Sequence, residues 1–329
     1  MQLGKIPISL LSETVLRMTG ARSRALLTGP RAGVDFAAIR VSGGYMIVSS
    51  DPVTGVASRI GSYAVTVSAN DVATSGNRPE FIGSVILLPE GSTEKDLKAI
   101  AADMDRTAKR LGVAIVGGHT EVTPGLKRPI VSVTAFSFVK DFVSSEMARE
   151  GDAIMMTKTA GLEGTAVLAS ELKRTGQRLP TRLAAKSRRL ENKISIVGEA
   201  VRAFKTGSVH AMHDCTEGGV LGAAYEMSLA SGLGFELWES AIPVASETRE
   251  VCSRLSLDPL KLIGSGALLI AVPPRSTDRI RRALKGVASA AEVGRFTRSG
   301  RHLLLRNGRK RAIRAAPVDE LWRRLPRSA

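Results

Sequence analysis

Cysteine is nearly absent: Cys215 and Cys252 are the only two in 329 residues. A disulfide framework is thereby excluded, and a reducing, cytoplasmic setting is expected. No apolar run approaches the roughly 20 residues of a membrane span. The stretch from Met1 to Leu11 lacks the small-residue cleavage site of a secretory signal, so mature protein with no membrane partner is expected. Aromatic residues make up only 4% of the chain, and none interleaves the basic run from Arg306 to Arg314. A base-stacking surface is therefore missing, and nucleic acid ranks last among partners. Several nucleotide and hydrolase signatures are also lacking. There is no Gly-x-x-x-x-Gly-Lys-Ser/Thr loop and no Gly-x-Gly-x-x-Gly after a strand, which excludes P-loop and Rossmann binding. Without Gly-x-Ser-x-Gly or His-Glu-x-x-His, serine-hydrolase and zincin readings fall away. Neither a solenoid repeat nor a low-complexity tract is visible.

What is present fits a globular protein long enough for two cores, with 43% hydrophobic and 24% charged residues. The net charge of +16 is unevenly placed: from Arg275 onward there are 16 Lys or Arg against 4 Asp or Glu. That segment reads either as a surface for an acidic partner or as general solvation. Periodicity predicts strands over 45–49, 81–88, 113–116 and 129–139, with helices over 61–76 and 93–111. The strand at 113–116 is expected to be short and buried, stopping at Gly117-Gly118. A second series follows a polar turn at 149–152. It predicts strands over 153–157, 209–212, 234–238 and 267–272 and near residues 292 and 303. Its helices are expected over 163–173, 194–204, 219–230, 247–255 and 277–284, with 174–189 as an exposed connection. This alternation argues α/β or α+β in both halves, as domains 1–148 and 149–329.

Three polar knots could carry chemistry. Asp35 lies in a glycine-flanked turn, Asp51 ends a strand, and Asp71 sits inside a small, apolar helical run. Carboxylates so placed suit Mg²⁺ bridging phosphate oxygens, although each alone also suits a turn or a helix cap. Asp71 fits the turn reading least, because an unpaired carboxylate is costly to bury. Val116-Gly117-Gly118-His119-Thr120-Glu121 follows a strand, where glycines allow close backbone approach and the Thr120 hydroxyl can contact phosphate. His213-Asp214-Cys215-Thr216-Glu217-Gly218-Gly219 feeds a helix, whose free N–H groups favour an anion. Gly161 to Thr165 opens another helix and could hold an anion likewise. Cys215 is the one candidate thiol nucleophile, at a helix start expected to lower its pKa; filling a loop position is the plainer reading.

Taken in order, these knots resemble the superfamily that holds AIR synthase (PurM), selenophosphate synthetase, thiamine-monophosphate kinase and the hydrogenase-maturation protein HypE. Gly33 to Ile39 is similar to the Gly-Asp-Asp-Ala-Ala element, and Asn70-Asp71-Val72-Ala73 through Pro79 to the Asn-Asp-Leu-Ala signature. Gly117 to Thr120 is similar to Gly-Gly-Asp/Glu/His-Thr, His213 to Gly219 to the His-Asp-Pro-Thr-Arg-Gly-Gly element of HypE, and Gly264 to Leu269 to the late glycine–strand element. The resemblance implies a two-domain PurM-like fold: an N-terminal mixed sheet with helices that dimerises into a barrel, and a C-terminal α/β domain. It implies ATP and Mg²⁺ in a cleft lined by both halves. Carried over, Asp35, Asp51, Asp71 and Asp214 would hold the metal, while Asp71, His213 and Asp214 would be catalytic. Asn70, Gly117, Gly118, His119, Thr120, Thr216, Glu217, Gly218 and Gly219 would frame the nucleotide.

Departures from the pattern matter. HypE ends in a cysteine that carries its carbamoyl group, whereas this sequence prints none after Cys252. Lys5 is the only lysine before residue 95, so the cysteine–lysine pair of selenophosphate synthetases has no counterpart. The expected function is therefore HypE-like phosphoryl transfer from ATP to an unidentified small acceptor, by a homodimer. A non-catalytic nucleotide-binding paralogue acting as a partner or regulatory protein is the alternative.

Overall fold

The computed structural model describes residues 3–54, 58–175 and 178–325. In the front half, α1 (Ile8–Glu13) is followed by β1 (Leu26–Thr28), β2 (Ala37–Val41), β3 (Gly44–Val53), α2 (Ile60–Ala73), β4 (Phe81–Leu88), α3 (Glu94–Leu111), β5 (Ala114–Val122) and β6 (Ile130–Val139). The six strands form one sheet in the order β1-β2-β3-β6-β4-β5, antiparallel except where β4 meets β5. α3 forms for local reasons. Thr93 and Asp96 make a capping box, acidic residues occupy its first turn and basic ones its last, and Gly112 ends it in the left-handed conformation. Ile100, Met104, Ala108 and Leu111 give it one apolar stripe. α2 differs: every residue but Val67 is buried, because it lies between the sheet, α3 and the back half.

The back half contains β7 (Ala153–Thr157), α4 (Leu162–Glu171), α5 (Thr181–Arg188), α6 (Val197–Phe204), β8 (Ala211–Asp214), α7 (Gly219–Ser231), β9 (Gly234–Trp238) and α8 (Ser246–Leu255). β10 (Leu268–Val272), α9 (Thr277–Leu284), β11 (Ala290–Thr297), β12 (Arg301–Leu304) and β13 (Lys310–Ala312) follow. Its seven-stranded sheet runs β13-β12-β9-β11-β7-β10-β8. β7 and β10 are buried throughout, as expected for central strands covered on both faces. Met155 packs into a core shared with the front half, whereas Ile154 and Met156 point to a second core with Phe235, Leu237 and Phe296.

Two expectations need correction. β5 does not stop at Gly117-Gly118: it runs through both glycines as an edge strand, and all nine of its residues are exposed. A Cβ on Gly118 would stand 1.9 Å from the Ser84 carbonyl oxygen, so the glycine lets the two strands close up. The stretch 174–189 is not simply an exposed connection, since α5 buries Leu183, Ala184 and Ser187 against α4 and α8.

The halves are joined by α2. The Asn70 side chain donates to the Ile194 carbonyl and accepts from the Ile196 amide, each at 2.9 Å. Asn70 is thus satisfied by backbone of the back half, which seats the next residue, Asp71, at the junction.

Candidate functional site

At that junction lies a cavity of about 990 Å³, lined by the N-terminal segment, β3, α2, the turn at 125–128, α4 and the loops after β8 and before β10. Four aspartates distant in sequence, Asp35, Asp51, Asp71 and Asp214, face it together. Each arrives for a local reason. Gly33 adopts φ +82°, and a Cβ there would stand 2.1 Å from the Glu226 carbonyl oxygen, so only glycine lets this turn press Asp35 against α7. Ser49 and Asp51 share one face of β3 by strand period, and the Ser49 hydroxyl donates to Asp71 Oδ2 at 2.7 Å. Val67 and Asp71 share a face of α2, one turn apart. Asp214 is the last residue of β8.

These carboxyls are poorly neutralised. Asp35 Oδ2 and both carboxylate oxygens of Asp214 are buried with no hydrogen-bond partner among the described residues. Burial, then the nearby Asp51, Asp214 and Asp35, pushes the Asp71 carboxyl well above the usual carboxylate range. Burial and Asp35 do the same to Asp214. Burial lifts Asp35 to about 6, restrained by His213.

Behind them stands an ion network. His213 Nδ1 lies 2.8 Å from the Asp214 carbonyl oxygen and 3.2 Å from Asp35 Oδ1, and Nε2 lies 3.3 Å from Glu226 Oε2. Glu226 Oε1 in turn accepts from Lys5 Nζ at 2.6 Å. Burial disfavours the imidazolium, yet Asp35, Glu226 and Asp214 outweigh it and raise His213 to about 9. Burial likewise opposes the Glu226 charge, but Lys5 and His213 overcome it and hold the carboxyl down at about 2.

The donor set fits a divalent cation: hard, unpartnered carboxylate oxygens converging where like charges cannot all ionise unaided. Among the described residues, one group of three His, Cys, Asp or Glu ligand atoms lies within 4.8 Å of one another, that of Asp35, His213 and Asp214. Lys127 and Arg128 line the same cavity and supply the positive charge that a polyanion would need.

The structure does not unite every residue singled out in the sequence. Thr216 and Glu217 line the cavity; Gly218 and Gly219 do not. The expected phosphate site at the start of α7 is already filled, because the Gly218 amide donates to the Asp319 carboxylate at 2.7 Å. A Cβ on Gly219 would stand 2.7 Å from the Leu260 and Leu262 carbonyl oxygens, so this glycine serves backbone packing. Asn70 is consumed by the back half. Gly117, Gly118, His119 and Thr120 lie along exposed β5, outside the cavity lining. His213 is only 2% exposed and does not face the cavity, which removes it as a direct proton donor to substrate. Burial pushes the Cys215 thiol well up, with Asp214 and Asp35 adding to it, opposite to the lowering expected at a helix start.

Sequence reasoning missed Lys5, Glu226 and Ser265, and took Glu163 only as part of a helix start. Glu226 carried the same signal as Asp71, a carboxylate inside an apolar helical run.

Residues 33–139 match the N-terminal domain of the family described as AIR synthase related protein, and residues 149–304 match its C-terminal domain. Carbamoyl dehydratase HypE of Bradyrhizobium diazoefficiens is 30% identical over 284 residues, covering 83% of this chain and 80% of that protein. The fold is similar to that of HypE in a HypE–HypF complex, with a TM-score of 0.76 at 23% identity, covering 93% of this chain and 99% of that one. It is similar also to HypE solved in complex with ATP, with a TM-score of 0.74 at 23% identity and 97% of each chain covered. No helix among the described residues is long and apolar enough to cross a membrane.

Proposed function

The chain belongs to the AIR synthase related family, and from that premise we propose a HypE-like enzyme that uses Mg²⁺ and ATP to transfer a phosphoryl group to a small acceptor. One observation carries this reading: Asp35, Asp51, Asp71 and Asp214 converge on one cavity with carboxylate oxygens left unpaired. Those four residues would hold the metal. A bound Mg²⁺ supplies neutralisation of the charge that develops on transferring phosphate oxygens.

The protein's own groups account for the rest. Lys127 and Arg128 draw the polyphosphate toward the cavity. The Ser49 hydroxyl fixes Asp71 at one oxygen. His213, held as a cation between Asp35 and Glu226, orients Asp35 and the Asp214 backbone without touching substrate, so its part is positioning.

The same reading includes a homodimer. β5 is a long, exposed edge strand bearing Ile115, Val116 and Val122, and a second copy pairing there would cover it. Gly117, Gly118, His119 and Thr120 enter nucleotide binding only through such a pairing. Two unpaired, buried cysteines support a cytoplasmic setting.

Calorimetry with a non-hydrolysable ATP analogue tests the reading. Binding is expected with Mg²⁺ and is expected to be lost in Asp71→Asn. Absence of binding by the wild type at millimolar analogue overturns it. Tight binding of the analogue together with no phosphoryl transfer from ATP itself to any metabolite pool favours the non-catalytic alternative.

A further inference from the structure

The back-half wall of the cavity has a chemistry of its own. α4 begins after Gly161, and the N–H groups of its first turn would suit an anion from solution. Glu163 sits in that first turn, 8% exposed and lining the cavity. Beside it stands Ser265, 1% exposed and also lining the cavity. Glu163 Oε2 is buried with no hydrogen-bond partner among the described residues, and Ser265 stands against the same carboxyl group. Polar atoms so placed are costly unless something binds them.

The shelf holding them is rigid. The Gly164 amide donates to the Ile263 carbonyl at 2.8 Å and the Gly264 amide to the Cys215 carbonyl at 2.9 Å. Lys158 Nζ donates to the carbonyls of Lys193, Ser195 and Gly266, at 3.0, 2.7 and 2.9 Å. Burial lifts the Glu163 carboxyl to about 7, hydrogen bonding from Ser265 holds it back, and the field of Glu217, a second carboxylate on this wall, raises it further. The Lys5 ammonium is engaged by Glu226. Val167 and Ile263 supply apolar surface to the same cavity lining.

A carboxyl-bearing, hydrogen-bond-accepting wall with an apolar flank disfavours anions and selects N–H donors, and an ammonium placed opposite Glu163 favours its ionised form. We propose that Glu163 and Ser265 form the acceptor subsite, and that the acceptor presents a primary amine, as its ammonium, on an apolar body. This inference rests on the phosphoryl-transfer reading for the word acceptor. The subsite itself can be tested without it.

The test uses the full chain and benzylamine as probe, with benzyl alcohol and benzoate as controls, titrated with and without a Mg²⁺-loaded ATP analogue. Wild type is expected to bind benzylamine in preference to both controls. Glu163→Gln should weaken benzylamine binding at least about tenfold, and Ser265→Ala about threefold, with nucleotide affinity retained as evidence of an intact fold. A crystal structure of the wild-type protein determined with benzylamine should place the ammonium at Glu163, which covers the case of a variant that fails to fold. Benzoate preferred over benzylamine, unchanged affinity in Glu163→Gln, or an ammonium located elsewhere overturns the subsite. Failure of the analogue to bind wild type overturns the phosphoryl-transfer reading instead, whatever benzylamine does.

Discussion

Glu226 and Asp214 stand on opposite sides of one imidazole, both buried, and their surroundings drive them in opposite directions. Glu226 is answered by Lys5 and by His213 and is held as an anion down to about pH 2. Asp214 shares its side with Asp35 and Asp51, and its carboxyl is pushed well above the usual range. Burial is common to both, so it is the count of neighbouring charges that separates them. A carboxylate whose partners are complete is part of the framework. A cluster whose partners are incomplete is the arrangement that the proposed Mg²⁺ site requires.

The sharpest way to break this contrast is to remove charge on each side. Glu226→Gln leaves His213 and Lys5 facing a neutral group and is expected to cost about 3–5 kcal/mol of stability, as loss of one partner of a buried pair usually does. Asp214→Asn relieves repulsion instead. Its melting temperature without Mg²⁺ should hold or rise, while affinity for a Mg²⁺-loaded nucleotide falls on the order of 100-fold. Equal destabilisation by the two variants in thermal melts would abolish the distinction.

Asn70→Ala lies between these extremes. It strips partners from the buried Ile194 carbonyl and Ile196 amide and should cost about 1–3 kcal/mol, with unchanged nucleotide affinity in calorimetry. A selective loss of nucleotide binding would restore the ligand role expected from the sequence.

The pH dependence sharpens the comparison further. Glu226 is lowered from 4.5 to about 2, so its contribution is present above pH 4.5 and is lost as pH falls through 2. His213 is raised from 6.5 to about 9, so its contribution is complete below pH 6.5 and lost as pH rises through 9. Melting curves of wild type should show both limbs, and Glu226→Gln should flatten the acid one. Last and smallest, Cys215→Ala should cost about 1 kcal/mol or a little more, leave nucleotide binding intact, and match a wild-type thiol that iodoacetamide does not label before unfolding.

The legibility of the elements follows their physics. α3 was readable because its caps, dipole charges and apolar stripe are all local, and β4, β7, β9 and α9 were read residue for residue. β5 was misjudged because an apolar run stopped by two glycines looks like the end of a buried strand. Nothing in those residues reveals that the strand lies on a sheet edge. α5 was missed because its many basic residues hide the few apolar ones it buries.

For the site, the amino-acid order alone determined the aspartates and their company. Asp35 after a glycine turn, Asp51 on a strand and Asp71 in an apolar helix each combine a costly charge with a local reason to be there. The order of such motifs is also what carries the family. Only the tertiary structure decided which charges are neutralised. Lys5 meets Glu226 across 221 positions, and Asp319 closes the start of α7 from 101 positions away. Electrostatic balance falls off over a few ångströms of space, whereas sequence records distance along the chain. The partner of a buried charge is therefore settled only when the halves pack.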